Sequence, residues 1–372
     1  MSSRYIIVSA LYAPHKGGVE TFTERLAHEL AIGGDEVSVV TSRLSSESPE
    51  FETQDDGVKV WRLPCIPLMK GRLPVPKRNK NYRRLLDSIT SSPADGILVN
   101  TRFYGLSLDG VCLAKRTDTP VIVLDHGASW LTLGNPVADM AVRLYERWAT
   151  NRVKSYNPRF AGVSQKSVDW LKTFGITADV VIPNAIDAEW FRNASSGRNY
   201  REEFGLSDSQ KIIAFVGRLE PEKGADLFAR AIGELGQGYA GFLAGEGSLR
   251  RRISSMGLTN VHLLGNTSQA DVSALLSEAD AFCLPTESEG FCLAILEAAS
   301  WGVPVAIPDV GIAREALGEN FLLLRPPYDD LPDCIYRSLS VNGAAAQENV
   351  EKAFSWKNSA TAMRAAFESI GH

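Results

Sequence analysis

Short apolar runs alternate with longer amphipathic stretches along almost the whole chain. The short runs are rich in valine, isoleucine and leucine, which is typical of parallel strands buried on both faces. The stretches between them indicate helices: Val19, Phe22, Leu26 and Leu30 recur at helical spacing and end at a glycine pair. Strands are predicted at residues 5–11, 36–41, 58–63, 96–100, 121–125, 160–163, 180–183, 212–216, 240–244, 261–264, 281–284, 303–307 and 321–324.

This strand–helix alternation occurs twice and breaks once. The break lies at residues 183–187, where a strand ends in turn residues and a polar stretch follows at 193–199. A chain of 372 residues is also longer than one ordinary core supports. The pattern therefore predicts an α/β protein with two open parallel sheets, in domains 1–183 and 184–354.

Composition indicates a soluble protein that keeps its thiols reduced. Hydrophobic residues make up 44% and charged residues 22%, and no apolar run reaches the ~18 residues of a membrane span. The first apolar run is interpreted as a buried strand and not as a signal peptide. Five scattered cysteines, an odd number, favour a cytoplasmic location, and none has a histidine at zinc-site spacing.

Charge differs between the two halves. Residues 1–183 hold 23 Lys and Arg against 19 Asp and Glu, a net +4, and the remainder has a net −9. This contrast indicates domains with different partners. A pI near 5.7 and the lack of a basic groove motif argue against nucleic acid as a partner.

Two glycine-containing loops that precede helices are candidate phosphate sites. Gly17 and Gly18 follow the first strand, where a turn with a helix cap is an equally good interpretation. The GxGxxG pattern is missing, so a dinucleotide site is disfavoured. In the second half, Gly217 and Arg218 open a loop that ends at Lys223, and these cations suit a diphosphate. The alternative is a surface loop in which Lys223 pairs with a neighbouring glutamate, 220 or 222.

Three further candidates lie where predicted strands end. Glu246 stands between two glycines after one strand, and Leu264 ends the next, where it could pack on a base. Either could equally belong to an ordinary turn. His126 follows a strand of the first half and precedes a glycine; histidine can donate to a phosphate or sugar oxygen there. A lone histidine is more often structural, but this position favours a site.

Glu289 and Glu297 are the most informative pair. They are eight residues apart, so on a helical path they would share a face about two turns apart. Such a pair suits a ligand with two hydroxyl-rich ends, such as a nucleotide sugar. Gly290 and the helix N-terminus add N–H donors. Without the other motifs, two solvated helix glutamates would be the simpler interpretation.

A basic segment interleaved with apolar residues occupies positions 70–84. The segment favours contact with an anionic membrane surface or a lipid-linked acceptor. A solvated, mobile loop is an equal alternative. Its basic residues are Lys70, Arg72, Lys77, Arg78, Lys80, Arg83 and Arg84.

Together these motifs resemble those of glycosyltransferase family 4, a retaining family with the GT-B fold. Four blocks carry the resemblance: residues 17–20, residues 217–224, the glutamate pair within 287–298, and Phe-Ser-Trp at 354–356. It runs nearly end to end and is weakest between residues 44 and 95. The resemblance implies two Rossmann-like domains facing a central cleft, with the acceptor bound by 1–183 and the donor by 184–354. It also implies that a helix at 355–372 crosses back onto the first domain.

The resemblance also implies roles for single residues. Arg218 and Lys223 would hold the donor diphosphate, and Glu297 the ribose. The donor sugar would meet Glu289 and the backbone amides of the next two residues. The remaining implied site residues, near the reacting sugar or the phosphates, are His126, Gly18, Gly290 and Phe291.

The predicted function is retaining transfer of a hexose-type sugar from a nucleoside diphosphate sugar to a hydroxyl acceptor. A lipid-linked glycan of surface-polysaccharide assembly is the favoured acceptor, and a peripheral position on the inner face of the cytoplasmic membrane is a candidate location. No Asp-x-Asp lies at a convincing metal position, so no divalent ion or other cofactor is expected. The alternatives are a GT-B epimerase that hydrolyses its own donor, and a non-catalytic partner that binds a nucleotide sugar.

Overall fold

The protein divides into two compact units. A computed structural model describes residues 2–15, 17–132 and 134–370, with Lys70 described by its backbone alone. Unit 1 contains the described residues of Met1–Asn184 and Trp356–His372, and unit 2 is Ala185–Ser355. The boundaries predicted from the sequence, 183/184 and 354/355, each lie one residue earlier.

The described part of unit 1 forms a nine-stranded sheet. Its main order is β3-β4-β2-β1-β6-β7-β8-β9, with β5 paired to β4. Most neighbours are parallel, whereas β3 and β5 run antiparallel to β4. The strands are β1 (Arg4–Val8), β2 (Glu36–Arg43), β3 (Phe51–Thr53), β4 (Lys59–Leu68), β5 (Leu73–Pro76), β6 (Gly96–Asn100), β7 (Val121–Asp125), β8 (Arg159–Gly162) and β9 (Val180–Val181).

Helices connect the parallel strands of unit 1, and side-chain caps begin several of them. The Asn79 side chain accepts from the Tyr82 amide, and Asn135 accepts from two amides ahead of Pro136. Tyr82 and Leu85 then pack into a core with Ile97 of β6. The helices are α1 (Gly18–Ile32), α2 (Lys80–Ile89), α3 (Gly105–Thr117), α4 (Pro136–Lys154) and α5 (Gln165–Leu171).

Unit 2 has a wholly parallel six-stranded sheet, in the order β12-β11-β10-β13-β14-β15. Its strands are β10 (Lys211–Val216), β11 (Tyr239–Ala244), β12 (Val261–Gly265), β13 (Ala281–Cys283), β14 (Val305–Ile307) and β15 (Leu322–Leu323). Its helices are α6 (Ala188–Asn193), α7 (Tyr200–Glu203), α8 (Ala225–Leu235), α9 (Arg250–Ser254), α10 (Gln269–Glu278), α11 (Leu293–Ser300), α12 (Ala313–Leu317), α13 (Leu331–Ser338) and α14 (Gly343–Ala353).

The last helix, α15 (Trp356–Glu368), follows unit 2 in the chain but packs in unit 1. Its Arg364 pairs with Asp35 at 2.8 Å, and its Phe367 stacks near Tyr5 of β1. Residues 371 and 372 of the predicted segment lie outside the described residues. No helix in the described ranges combines the length and apolar character needed to cross a membrane.

All thirteen predicted strands have a counterpart, but two strands were missed. These are β3 and β5, which join the sheet antiparallel at β4. The β4–β5 hairpin and α2 also occupy residues 59–89, so the alternative of a mobile loop over the basic segment is wrong. Proline-rich β5, Leu-Pro-Val-Pro, is a poor strand by composition, and its place beside one partner at the sheet edge makes it possible.

Candidate functional site

Unit 1 has a cavity of about 240 Å³ at the carboxyl ends of β1, β6 and β7. Parallel strands bring the residues after them to one edge of the sheet, which is where such folds bind ligands. Asn100 ends β6 and Asp125 ends β7, so His126 follows directly at this edge. The start of α1 contributes Val19 and Glu20 to the same wall.

Gly17 and Gly18 lie where α1 begins. The Glu20 carboxylate folds back over Gly17, since an added Cβ there would lie 2.3 Å from Glu20 Oε2. At Gly18 an added Cβ would meet no atom within 4 Å, so there is open space over this backbone. The loop can therefore admit a ligand at Gly18.

A directed hydrogen-bond chain fixes the protonation of His126. The Thr23 hydroxyl donates to the Val19 carbonyl at 2.7 Å, which uses its only hydrogen. Asn100 Nδ2 must then be the donor to Thr23 Oγ1, at 2.8 Å. Asn100 Oδ1 consequently faces His126 Nε2 at 3.0 Å, and this nitrogen must carry the proton.

His126 is therefore a neutral side chain with a lone pair at Nδ1. Burial lowers its pKa to about 3, so it stays neutral through the physiological range. Its ring packs edge-on against Phe22 with centroids 4.9 Å apart. The sequence pattern predicted this histidine as a hydrogen-bond donor to the ligand, but its only N–H already serves Asn100. That expectation is wrong for the neutral side chain, which can only accept at its free nitrogen.

A buried charge cluster behind this cavity was not predicted from the sequence. Arg102 is 1% exposed and binds Asp125 at 2.6 Å and Glu146 of α4 at 2.8 Å. Burial raises the pKa of both carboxyl groups, and Arg102 opposes that rise. The available signal was an arginine two residues after β6, beside an aspartate at the end of β7.

Unit 2 gathers its candidate residues on four loops at the carboxyl edge of its sheet. The loop after β10 binds the loop after β11, because the Leu219 amide donates to the Glu246 carbonyl at 2.9 Å. It binds the loop after β13 as well, where the Glu287 amide donates to the Glu222 carbonyl at 2.8 Å. Behind β14, the Ile312 amide donates to the Phe291 carbonyl at 3.0 Å.

Both proposed diphosphate cations already have carboxylate partners. Lys223 Nζ lies 2.6 Å from Glu289 Oε1, and these side chains are only 14% and 15% exposed. Arg218 is 68% exposed and pairs with Glu222 at 3.0 Å. The alternative pairing of Lys223 with Glu220 or Glu222 is therefore wrong, since Glu220 accepts from Ser248 instead.

Glu289 and Glu297 do not share a helix face. Glu289 lies in the loop, and α11 begins only at Leu293. Cys292 stands between them at φ +76°, a left-handed conformation that an ordinary helix cannot contain. Removal from water raises the pKa of Glu297 to about 7, although a hydrogen bond with Gln269 opposes the rise.

The other donor candidates lie in or beside these loops. Gly217 follows β10, and its amide donates to the Ala244 carbonyl. The Glu246 side chain binds Arg250 at 2.9 Å, and Leu264 is part of β12. Gly290 and Phe291 belong to the loop after β13, where the Phe291 ring is buried against Phe354 and leaves its backbone as the available contact.

The basic segment is divided between paired and unpaired residues. Arg78 binds Asp109 at 2.8 Å and Arg84 binds Glu50 at 3.0 Å. The side chain of Lys70 lies outside the described residues. Within the described part of the chain, no ion pair is seen for the exposed Arg72, Lys77, Lys80 and Arg83.

Two family models match the chain, one in each half. The model of the glycosyl transferase 4-like domain matches residues 17–185, and that of the glycosyl transferases group 1 matches residues 197–351. The solved sucrose-phosphate synthase of Thermosynechococcus elongatus has the same fold, with a TM-score of 0.77 at 18% identity over 99% of each chain. Anabaena HepE in complex with UDP-glucose gives a TM-score of 0.72 at 19% identity, over 99% of this chain and all of HepE.

The phosphatidylinositol N-acetylglucosaminyltransferase of Arabidopsis thaliana contains a polypeptide that is 24% identical over 95% of this chain and 79% of its own length. Two other curated glycosyltransferases are spanned over only 59% and 52% of their length. The fold is thus that of a GT-B glycosyltransferase, with two Rossmann-like units. The chain belongs to glycosyltransferase family 4, as its motifs predicted.

Proposed function

We propose that this protein transfers a hexose-type sugar from a nucleoside diphosphate sugar to a hydroxyl group of a lipid-linked glycan. The observation that carries the donor side is the convergence of Arg218, Lys223 and Glu289 at the carboxyl edge of the unit 2 sheet. Such a loop offers cations to a diphosphate and a carboxylate to sugar hydroxyls. The similar HepE is known with UDP-glucose, which supports the same class of donor here.

The ion pairs define what the donor must do. Diphosphate oxygens would take over Lys223 and Arg218, and the released Glu289 would accept from sugar hydroxyls. The two cations would then offset the charge that develops on the leaving diphosphate. Retention of the anomeric configuration is part of the proposal and rests on family membership.

Glu297 is proposed to bind the ribose. Its pKa near 7 means that a large share of the carboxyl groups are protonated at neutral pH. Hydroxyl donors favour the ionised form, so donor binding should release a proton and become tighter as the pH rises through 7.

The acceptor hydroxyl is proposed to enter the cavity of unit 1. There the neutral His126 offers a lone pair, and Gly18 leaves open space beside the start of α1. A lone pair suits a hydroxyl group, which can donate to it. The lipid-linked nature of the acceptor is supported by the basic segment and by the lipid-named relative from Arabidopsis.

Thermal unfolding with a panel of UDP-, GDP-, ADP- and dTDP-sugars tests the donor site. A ligand at about 100 times its Kd adds about 2.7 kcal/mol to the free energy of unfolding. We expect one base class to raise Tm, more at pH 8 than at pH 6, and Glu297→Ala to remove most of the shift. Glu234→Ala, an exposed glutamate of α8, is the matched control and should keep it. A shift that is unchanged in Glu297→Ala would contradict the ribose assignment.

A further inference from the structure

Helix α4 carries large apolar side chains on its outer face. Val137, Met140, Leu144 and Trp148 are 80, 66, 61 and 57% exposed, and we call them the α4 stripe. Steps of three, four and four residues place all four on one side of the helix. Large apolar side chains that gather at the surface mark an interaction site.

The opposite face of α4 is firmly packed in unit 1. Glu146, Thr150 and Val153 are buried, and Glu146 is bound to the buried Arg102. The Tyr145 hydroxyl donates to the Phe103 carbonyl at 2.9 Å. The helix is therefore held by one face, and the stripe is the face left over.

The charge beside the stripe is positive. Arg143 and Arg147 lie over the ring of Trp130, at 5.9 and 5.3 Å from its centroid, and both remain exposed. Arg152 is exposed near the end of the helix. An apolar stripe with tryptophan, flanked by arginines, is the composition of helices that lie in a membrane interface.

We propose that the α4 stripe docks on an anionic lipid surface. The apolar side chains would enter the boundary between headgroups and acyl chains, and the arginines would bind lipid phosphates. A second copy of the chain fits less well, because packing two stripes together would bring their arginines together. This surface is distinct from the basic segment 70–84.

The stripe lies next to the cavity of unit 1. Phe103, which accepts from Tyr145 of α4, lines that cavity, as does Leu131 just ahead of the helix. An acceptor anchored in the same lipid surface would thus have its headgroup near the cavity. This last point rests on the proposed function, whereas the docking itself does not.

Co-sedimentation with vesicles tests the docking. The full chain is mixed with vesicles of phosphatidylcholine, with or without phosphatidylglycerol, and the bound fraction gives a partition coefficient. We expect binding to the anionic vesicles, and Leu144→Glu should lower it about tenfold or more. Ile32→Glu is the matched control, since Ile32 is also 61% exposed on a helix of unit 1, and it should bind as the wild type.

Two pairs of charge variants separate this surface from the basic segment. Arg143→Gln with Arg152→Gln should weaken binding to anionic vesicles by about tenfold, whereas Arg72→Gln with Lys77→Gln should leave most of it. Equal binding to both vesicle types, wild-type binding by Leu144→Glu, or a dimer that Leu144→Glu dissociates would each overturn the proposal. The donor-induced Tm shift, measured on the same variants without vesicles, should persist and reports on the proposed function alone.

Discussion

At the scale of single residues, the chain from Thr23 through Asn100 to His126 determines what the histidine can do. It leaves Nδ1 as an acceptor and keeps the ring uncharged. A neutral ring contributes no ionisation to the rate above about pH 5, since its pKa is about 3. The cost of keeping it neutral must therefore appear in stability at low pH.

We predict that His126 makes the protein less stable as the pH falls from 7 to 5. The folded pKa of about 3 lies below the unfolded value of 6.5, so the unfolded chain binds the proton first. The free energy of unfolding should then fall by about 2 kcal/mol more in the wild type than in His126→Gln. Urea unfolding at both pH values measures this.

Glutamine can still donate to Asn100, so the variant removes the titration and keeps that hydrogen bond. An equal loss of stability in both proteins would show that His126 titrates normally and that water reaches its ring in the folded protein.

At the scale of elements, glycines allow the donor loops to approach each other. Gly224 precedes α8 at φ +68°, and an added Cβ would lie 2.3 Å from the Pro285 carbonyl oxygen. Gly257, at φ +66°, has open space around the same position. The two glycines therefore separate the effect of backbone strain from that of crowding.

We predict that Gly224→Ala lowers the free energy of unfolding by about 3 kcal/mol and Gly257→Ala by about 1 kcal/mol. The first change adds a clash with the loop after β13 to the strain that both share. Chemical denaturation of the two variants measures the difference. Equal losses would mean that the Pro285 loop moves aside freely, and that the close approach does not define the donor site.

Elements with a strong apolar period were predictable, and those that depend on one neighbour were not. β6 and β7 appear with their predicted bounds, because each is a continuous apolar run buried on both faces. β3 and β5 are short and gain their conformation by pairing with β4. Likewise, nothing local indicated that Cys292 would delay the start of α11.

At the scale of the whole molecule, the candidate sites depend on residues brought together from distant parts of the chain. The sequence marked Lys223 and Glu289 as site residues, but their direct ion pair joins loops 66 residues apart. Arg102 was not noticed, because its importance comes from burial between Asp125 and Glu146. Motifs therefore revealed which residues matter, and only tertiary packing revealed their protonation and partners.

Charge balance bears on whether the reaction needs a metal ion. The half that contains the donor loops has a net charge of −9, yet those loops place Arg218 and Lys223 where a diphosphate would bind. We propose that these two cations replace a divalent ion. Activity should survive EDTA, and Arg218→Ala or Lys223→Ala should each cost about 2–4 kcal/mol of transition-state stabilisation. Complete loss with EDTA that magnesium restores would contradict this.

The two ion pairs of the donor loops also have a consequence for selectivity. An empty site whose cations are already neutralised attracts small anions weakly, since any phosphate must first displace a carboxylate. A ligand that brings both phosphate and hydroxyl groups can satisfy the cation and the displaced carboxylate together, because one glutamate serves both states. The pair of Lys223 and Glu289 thus works as a test for two chemical groups at once, and it admits a sugar joined to a diphosphate more readily than either part alone.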